Sequence, residues 1–408
     1  MTRVVFNPFS ESFRRNPYET YSALRTTGPF RSLGMWIFTR HADVKDVLRD
    51  RRFSSALIPS LVHRRLDEFG MSCPEVTKLG QKAIVFTDNP DHARLRRLAN
   101  VVFHPSQLES LRPLAATLVQ QHLKSFATQA RGDFVGQVAR PIPLKLLLSW
   151  LAIDHEHMEA VATWNHAIRY FLEPGAVNRS QFAHIYQSLT EFLAFFASYI
   201  ADRQGRAGAD LISQMLVRTS KNDGFTVEEA AYMCVMAFVA GAETTQALLG
   251  NAMLLLASHP AQLNKLLSGE VAVSRAANEI LRFEAPLQMT KRVAMEDVAV
   301  AGVNIKANDQ ILLCLAAANH DNDVFADADS FDIGRSNSEL HLGFGYGAHA
   351  CLGARLAQIQ LESLLEEIIR HRWQPVVHEA PRWQRHSQIM RGLDELPLDL
   401  QTQGETVA

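Results

Sequence analysis

Charge of one sign is missing from this 408-residue chain: 41 Lys and Arg face 43 Asp and Glu, a net charge of −2. A nucleic-acid binder carries a strong basic excess, so that class is excluded. Cysteine is scarce too. Cys73, Cys234, Cys314 and Cys351 lie far apart with no CxxC pair, which excludes a disulfide scaffold and fits a reducing cytoplasm. No long apolar run opens the chain, because Arg3, Asn7 and Pro8 interrupt its start; a signal peptide or anchor reads differently. The most apolar internal stretch, 234–242, ends at Glu243, well short of a bilayer span. Low-complexity linkers and internal repeats are absent as well. What remains is a soluble cytoplasmic protein with no nucleic acid or membrane partner, whose 47% apolar residues can bury a large core.

Helical periodicity dominates what is present. Leu352, Leu356, Ile359, Leu364 and Ile368 recur at helical spacing, predicting a helix that begins near Leu352. A second run, 230–256, is too long and too apolar for a surface helix, so it is expected to cross the core. Thr226 stands before Glu228 and Glu229, an N-cap with acids in the first turn. Strands are expected at 35–39, 311–315 and 298–305, the last turning at Gly302. The stretch 54–88 is weakly patterned and long for a connection, which suggests a functional loop.

The segment Phe344-Gly345-Tyr346-Gly347-Ala348-His349-Ala350-Cys351-Leu352-Gly353 carries the chemistry. A cysteine just before a helix sees the positive end of the dipole, which favours the thiolate. The glycines let the backbone turn tightly and approach a flat ligand. Phe, Gly, Gly, His, Cys and Gly at these offsets resemble the haem-binding loop of the cytochrome P450 family. The other three cysteines read as small buried apolar residues.

Further motifs extend the resemblance over nearly the whole chain. It implies a mainly α, P450-like fold, many helices around a buried haem with a small β-sheet region, as one domain over 1–408. It implies haem b with Cys351 as axial thiolate, a ligation that favours O–O cleavage. Glu279-Ile280-Leu281-Arg282 is similar to the family's Glu-x-x-Arg pair, joined by Arg335 of Phe331-Asp332-Ile333-Gly334-Arg335. These three are assigned to folding and haem retention. His92 and Arg96, four apart on one helix face, match the family's His-x-x-x-Arg. With Arg292 and His349 they are implied to hold the two haem carboxylates, which need cations or donors when buried. Phe344 and Gly345 complete the cofactor-binding set.

Ala240-Gly241-Ala242-Glu243-Thr244-Thr245 resembles the family's oxygen-activation signature. A Glu in so apolar a helix is costly unless it has a task. The resemblance implies that Glu243 relays protons from solvent and that Thr244 hydrogen-bonds the oxygen being reduced. Substrate contacts are implied in 54–86, 237–245, 287–290 and 388–390, with Ala240, Leu287, Met289 and Ile389 named, mostly apolar and so favouring an apolar ligand.

The function implied is a monooxygenase that hydroxylates or epoxidises a small, mostly apolar molecule with O2 in a secondary-metabolite or catabolic pathway. Electrons would come from NAD(P)H through a separate reductase and ferredoxin or flavodoxin, with the enzyme a monomer. Arg94 and Arg97 read either as a docking face for that partner or as a solvated face. A peroxide-driven hydroxylase and a non-catalytic haem-binding protein are the alternatives. The Glu243-Thr244 pair argues against the first, which needs no protons delivered to dioxygen. Asn319-His320-Asp321 departs from a common Asn-Arg-Asp run.

Overall fold

The computed structural model describes residues 6–172, 178–204, 208–219, 224–385 and 387–402. The chain divides into two compact units, one of Met1–Phe53, Arg112–Ile142 and Thr244–Ala408, the other of Ser54–Leu111 and Pro143–Glu243.

The first unit carries the sheets. Strands Phe30–Ser32, Met35–Phe38, Gln310–Cys314, Met289–Ala294 and Phe53–Ser54 lie in that order in a five-stranded sheet. Met35–Phe38 pairs parallel with Gln310–Cys314, which pairs antiparallel with Met289–Ala294 in the register Arg292 to Ile311. Val298–Val300 and Val303–Ile305 form a hairpin, and Gly302 takes the positive φ of +78° at its turn. These β-branched and aromatic runs fit half-buried pleated surfaces. Leu361, Leu364, Leu365 and Ile368 of helix Ala354–His371 pack with Ile280 and Leu281 of helix Val273–Phe283 in the main core.

The helix after Cys351 begins at Ala354, near Leu352 as expected, with Gly353 at its N-cap. Leu352 lies in the preceding turn and is half-buried.

The second unit is helical. The stretch 54–88, expected as a loop, contains helices Leu57–Phe69 and Pro74–Lys82 and a 3-10 turn at Ile84–Phe86. Short amphipathic repeats explain the difference: Val62 and Leu66 are buried in one helix, Val76 and Leu79 in the other. Pro74 opens the second helix, and Gly70 ends the first with a φ of 62°. Helices Met158–Ile168 and Arg179–Arg203 share an aromatic cluster in which Trp164, Phe192 and Phe196 meet, and Phe238 joins both phenylalanines.

Helix Val227–Ser258 gives its first half to the second unit and the rest to the first. A capping box starts it: Glu229 N donates to Thr226 Oγ1 at 3.1 Å, and Thr226 N donates to Glu229 Oε2 at 2.9 Å. By length and composition it could cross a membrane, yet 67% of its most apolar window is buried in protein. That burial is what its apolar sequence serves here.

Candidate active site

The loop before helix Ala354–His371 is shaped by backbone geometry. Cys351 N donates to Phe344 O at 2.9 Å, and Gly345 N donates to Leu342 O at 2.9 Å. Gly345 and Gly347 take φ values of 68° and 73°. A Cβ on Gly347 would lie 2.7 Å from Leu48 O, so the loop lies directly on the end of helix His41–Arg49. Phe344 packs on the main core, and His349 closes the 3-10 turn Gly347–His349. Leu342 N donates to Asn319 Oδ1 at 2.7 Å, which ties the loop's start to the Asn-His-Asp segment.

The thiols differ sharply. Cys73, Cys234 and Cys314 are buried, whereas Cys351 is exposed. Burial pushes the Cys234 and Cys314 thiols far up and that of Cys73 up as well, so none of them offers a thiolate at neutral pH. Only Cys351 presents sulfur to an incoming group. Ala240 is exposed in the middle of an otherwise largely buried helix, and Thr244, one turn on, is half-buried. An accessible thiol is a soft donor of the kind that haem iron takes.

The structure brings Glu279, Arg282 and Arg335 together. Glu279 and Arg282 are fully buried, with Arg282 Nε 2.7 Å from Glu279 Oε2 and Nη2 2.8 Å from Oε1. Arg282 also donates to the carbonyls of Asn319, Ala328 and Ser330 at 2.8, 2.8 and 3.1 Å. Every guanidinium N–H therefore has an acceptor. Arg335 Nε reaches Glu279 Oε1 at 3.3 Å.

His320 occupies the usual arginine position and works as a bridge. Its Nδ1 lies 3.0 Å from Asp329 Oδ1, its Nε2 lies 2.9 Å from Phe283 O, and its ring sits 4.4 Å from Tyr18. Asp321 Oδ2 accepts from His41 N at 2.8 Å, capping helix His41–Arg49 from a distant segment.

Arg292 is buried on strand Met289–Ala294, and its Nη1 donates to Lys291 O at 2.7 Å. His92 is buried on helix Asp91–Val102, with Arg96 half-buried one turn later. Arg94, on the same helix, is paired with the buried carboxylate of Glu229. The Arg94 side chain stays 35% exposed in that pair, and Arg97 is exposed.

The substrate candidates fall in different surroundings. Leu287 packs against the cluster of Phe38, Val44 and Leu313, and it bridges to Met390. Met289 is 1% exposed inside the cluster of Phe6, Phe13 and Tyr21, with Ile389 packed against that cluster. Ala240, on the core helix, is exposed.

Glu243 has partners that sequence reasoning missed. Arg169 Nη1 lies 2.9 Å from its Oε2, and His166 Nδ1 lies 3.3 Å from its Oε1. Both partners stand far upstream, and no periodic or motif signal ties them to Glu243. Among the described residues, no group of three or more His, Cys, Asp or Glu could hold a metal ion.

The cytochrome P450 family profile matches residues 272–396. The Biotin biosynthesis cytochrome P450 of Bacillus subtilis (strain 168) is 31% identical over 403 residues, covering 95% of this chain and 97% of that protein. The solved structure of P450BioI in complex with hexadec-9Z-enoic acid ligated acyl carrier protein has a TM-score of 0.85 at 30% identity, over 96% of this chain and 100% of that one. CalO2 has a TM-score of 0.90 at 28% identity, over 98% of this chain and 99% of that one. With that identity along almost its full length, this chain belongs to the cytochrome P450 family and is an oxidoreductase that incorporates oxygen from O2.

Proposed function

We propose that the chain is a cytoplasmic monooxygenase in which the Cys351 thiolate holds haem iron. The exposure of this one thiol, against three buried ones, carries the reading. Bound haem supplies a thiolate-ligated iron at which O2 is reduced and one oxygen atom enters the substrate. His92, Arg96, Arg292 and His349 bind the two carboxylates, while Phe344 and Gly345 shape the loop around the sulfur. Glu243 and Thr244 move protons inward from solvent. Ala240 floors the substrate space, and Leu287 and Ile389 bound it. Electrons come from NAD(P)H through a separate reductase and a ferredoxin or flavodoxin.

The substrate is a small, mostly apolar molecule of a biosynthetic pathway, hydroxylated or epoxidised. The exposed Ala240 beside apolar neighbours supports an apolar ligand. An acyl chain is the form favoured, since a relative acts in biotin biosynthesis and a structural neighbour holds a hexadecenoyl carrier protein.

The test is Cys351→Ser. Purified wild type should show the red-shifted Soret band of a thiolate-ligated reduced carbon monoxide complex, and the variant should lose it. A band unchanged in the variant removes Cys351 as the ligand. Titration with apolar acids and their carrier-linked forms, read as the low-to-high-spin shift, then identifies the substrate class.

A further inference from the structure

Two short segments that carry substrate candidates run side by side. Arg391 N donates to Pro286 O at 2.7 Å, Leu287 bridges antiparallel to Met390, and Gln288 N donates to Ile389 O at 2.8 Å. So short a ladder is marginal without further support. The first segment runs on into strand Met289–Ala294. The second is held by the side chain of its own arginine.

Arg391 Nε donates to Glu284 Oε1 at 2.8 Å, and both side chains are only 9% exposed. Its Nη1 and Nη2 donate to Arg14 O and Arg15 O, at the end of helix Glu11–Arg15, at 2.5 and 3.2 Å. The guanidinium lies 3.7 Å from the centre of the Trp383 ring, and Tyr18 Oη donates to Glu284 Oε1 at 2.5 Å. Asn251 is fully buried on the core helix, about two turns beyond Thr244. Its Nδ2 donates to Arg391 O at 3.1 Å and to Glu284 O at 3.3 Å. Glu284 stands just before Leu287 and Arg391 just after Ile389. One ion pair therefore joins both segments, and Asn251 fastens it to the core helix.

We propose that Arg391 and Glu284 are positioning residues that set the width of the substrate space by holding 389–390 against 287–288. The proposal rests on the reading of Leu287 and Ile389 as substrate contacts. A buried ion pair adds little net stability, because desolvation offsets the attraction, and well-packed apolar side chains would stabilise as much. An apolar pair lacks direction. The guanidinium fork meets three acceptors at set angles, one carboxylate oxygen and two carbonyls. Shape discrimination needs a wall held to within about 0.5 Å, and a directional anchor supplies that.

The test uses haem-loaded protein and three nitrogen ligands of iron that differ in size: imidazole, 4-phenylimidazole and 4-(biphenyl-4-yl)imidazole, each read by its Soret shift. Imidazole needs only the iron, whereas the larger two also need room beside it. Arg391→Lys keeps the charge and loses the fork. It should retain the carbon monoxide band and bind imidazole as wild type does. Its affinity ratio of biphenylyl to phenyl ligand should move by roughly tenfold toward the larger, the low end of shape discrimination in an apolar pocket. Glu284→Gln should move the ratio the same way, and the double variant no further than either single one, because the two residues act as a unit. A ratio that stays put or moves toward the smaller ligand in Arg391→Lys overturns the proposal, as does imidazole binding weakened as much as the rest. Ile389→Ala separates the two readings. If it leaves the ratio at the wild-type value, the wall reading falls and the proposal with it. If it moves the ratio while Arg391→Lys does not, the positioning role alone is refuted. Should Arg391→Lys fail to take up haem, Arg391→Met combined with Glu284→Gln leaves no unpaired buried charge and carries the same comparison. Failure of that protein as well would assign the pair to haem retention and overturn the proposal.

Discussion

A threonine hydroxyl one turn beyond an exposed alanine is the smallest feature of the proposed proton delivery. Thr244 lies half-buried on the open face of the core helix, beside the acid already discussed. Thr244→Ala removes the hydroxyl and leaves the carboxylate network of Glu243, Arg169 and His166 in place. Haem and substrate binding should persist, while reducing equivalents drain into hydrogen peroxide and product per NAD(P)H falls by roughly tenfold or more. Peroxide and product assays against NAD(P)H consumed decide this; yield at the wild-type level removes the hydroxyl from proton delivery. Much at this scale was readable in the sequence. Glu279, Arg282 and Arg335 stand in dense local patterns, local pattern is what a sequence displays, and the structure brings the three together. Arg169 and His166 were not readable, because an ion pair across 74 positions leaves no periodic trace. The burial of Met289 was not readable either, since β register, not local composition, decides which way a strand residue faces.

Elements are joined by the buried Glu279 carboxylate. It binds Arg282 on its own helix, Arg335 beyond the next sheet, and Asp332 N at 3.0 Å. Glu279→Ala would leave two guanidinium groups facing an apolar gap. Breaking a buried pair in this way costs about 3–5 kcal/mol, and the urea midpoint should fall accordingly. A loss below about 1 kcal/mol, the scale of an exposed pair, would show that water reaches the site. Element reading succeeded where one period ran long, as in helix Val227–Ser258, and where a turn residue punctuated two strands, as at Gly302. It failed over 54–88. There two short helices are each too brief for a clear periodic signal, and their stability comes from tertiary packing of Val62, Leu66, Val76 and Leu79. The cap that Asp321 places on helix His41–Arg49 was equally out of reach, since it spans 280 positions.

Stability of the whole molecule should depend on acid through His341. Burial, with Arg282 nearby, pushes its imidazole down to about 4. Gly343 N donates to Nδ1 at 3.1 Å, which also favours the neutral ring. Above about pH 6.5, the ordinary histidine value, folded and unfolded chains both hold this ring neutral and stability is full. Between about 6.5 and 4 the unfolded chain takes up a proton that the folded chain refuses, so stability falls as pH falls, by at most about 1.4 kcal/mol per pH unit. Denaturation at pH 7 and pH 5 should show that loss, and His341→Gln should flatten it. An equal slope in the variant assigns the effect to other groups.

The contrast among the sulfur atoms has a consequence for handling the haem-free protein. Three thiols are sealed in the interior and one is open to water. A maleimide offered to folded apoprotein should add once per chain, to Cys351, and intact mass should record a single adduct. Unfolding first should raise the count to four, the number of cysteines in the chain. Haem loading should prevent the single addition, and the alkylated apoprotein should no longer take up haem. The same reagent would thus count empty molecules in any preparation, one adduct for each unfilled enzyme.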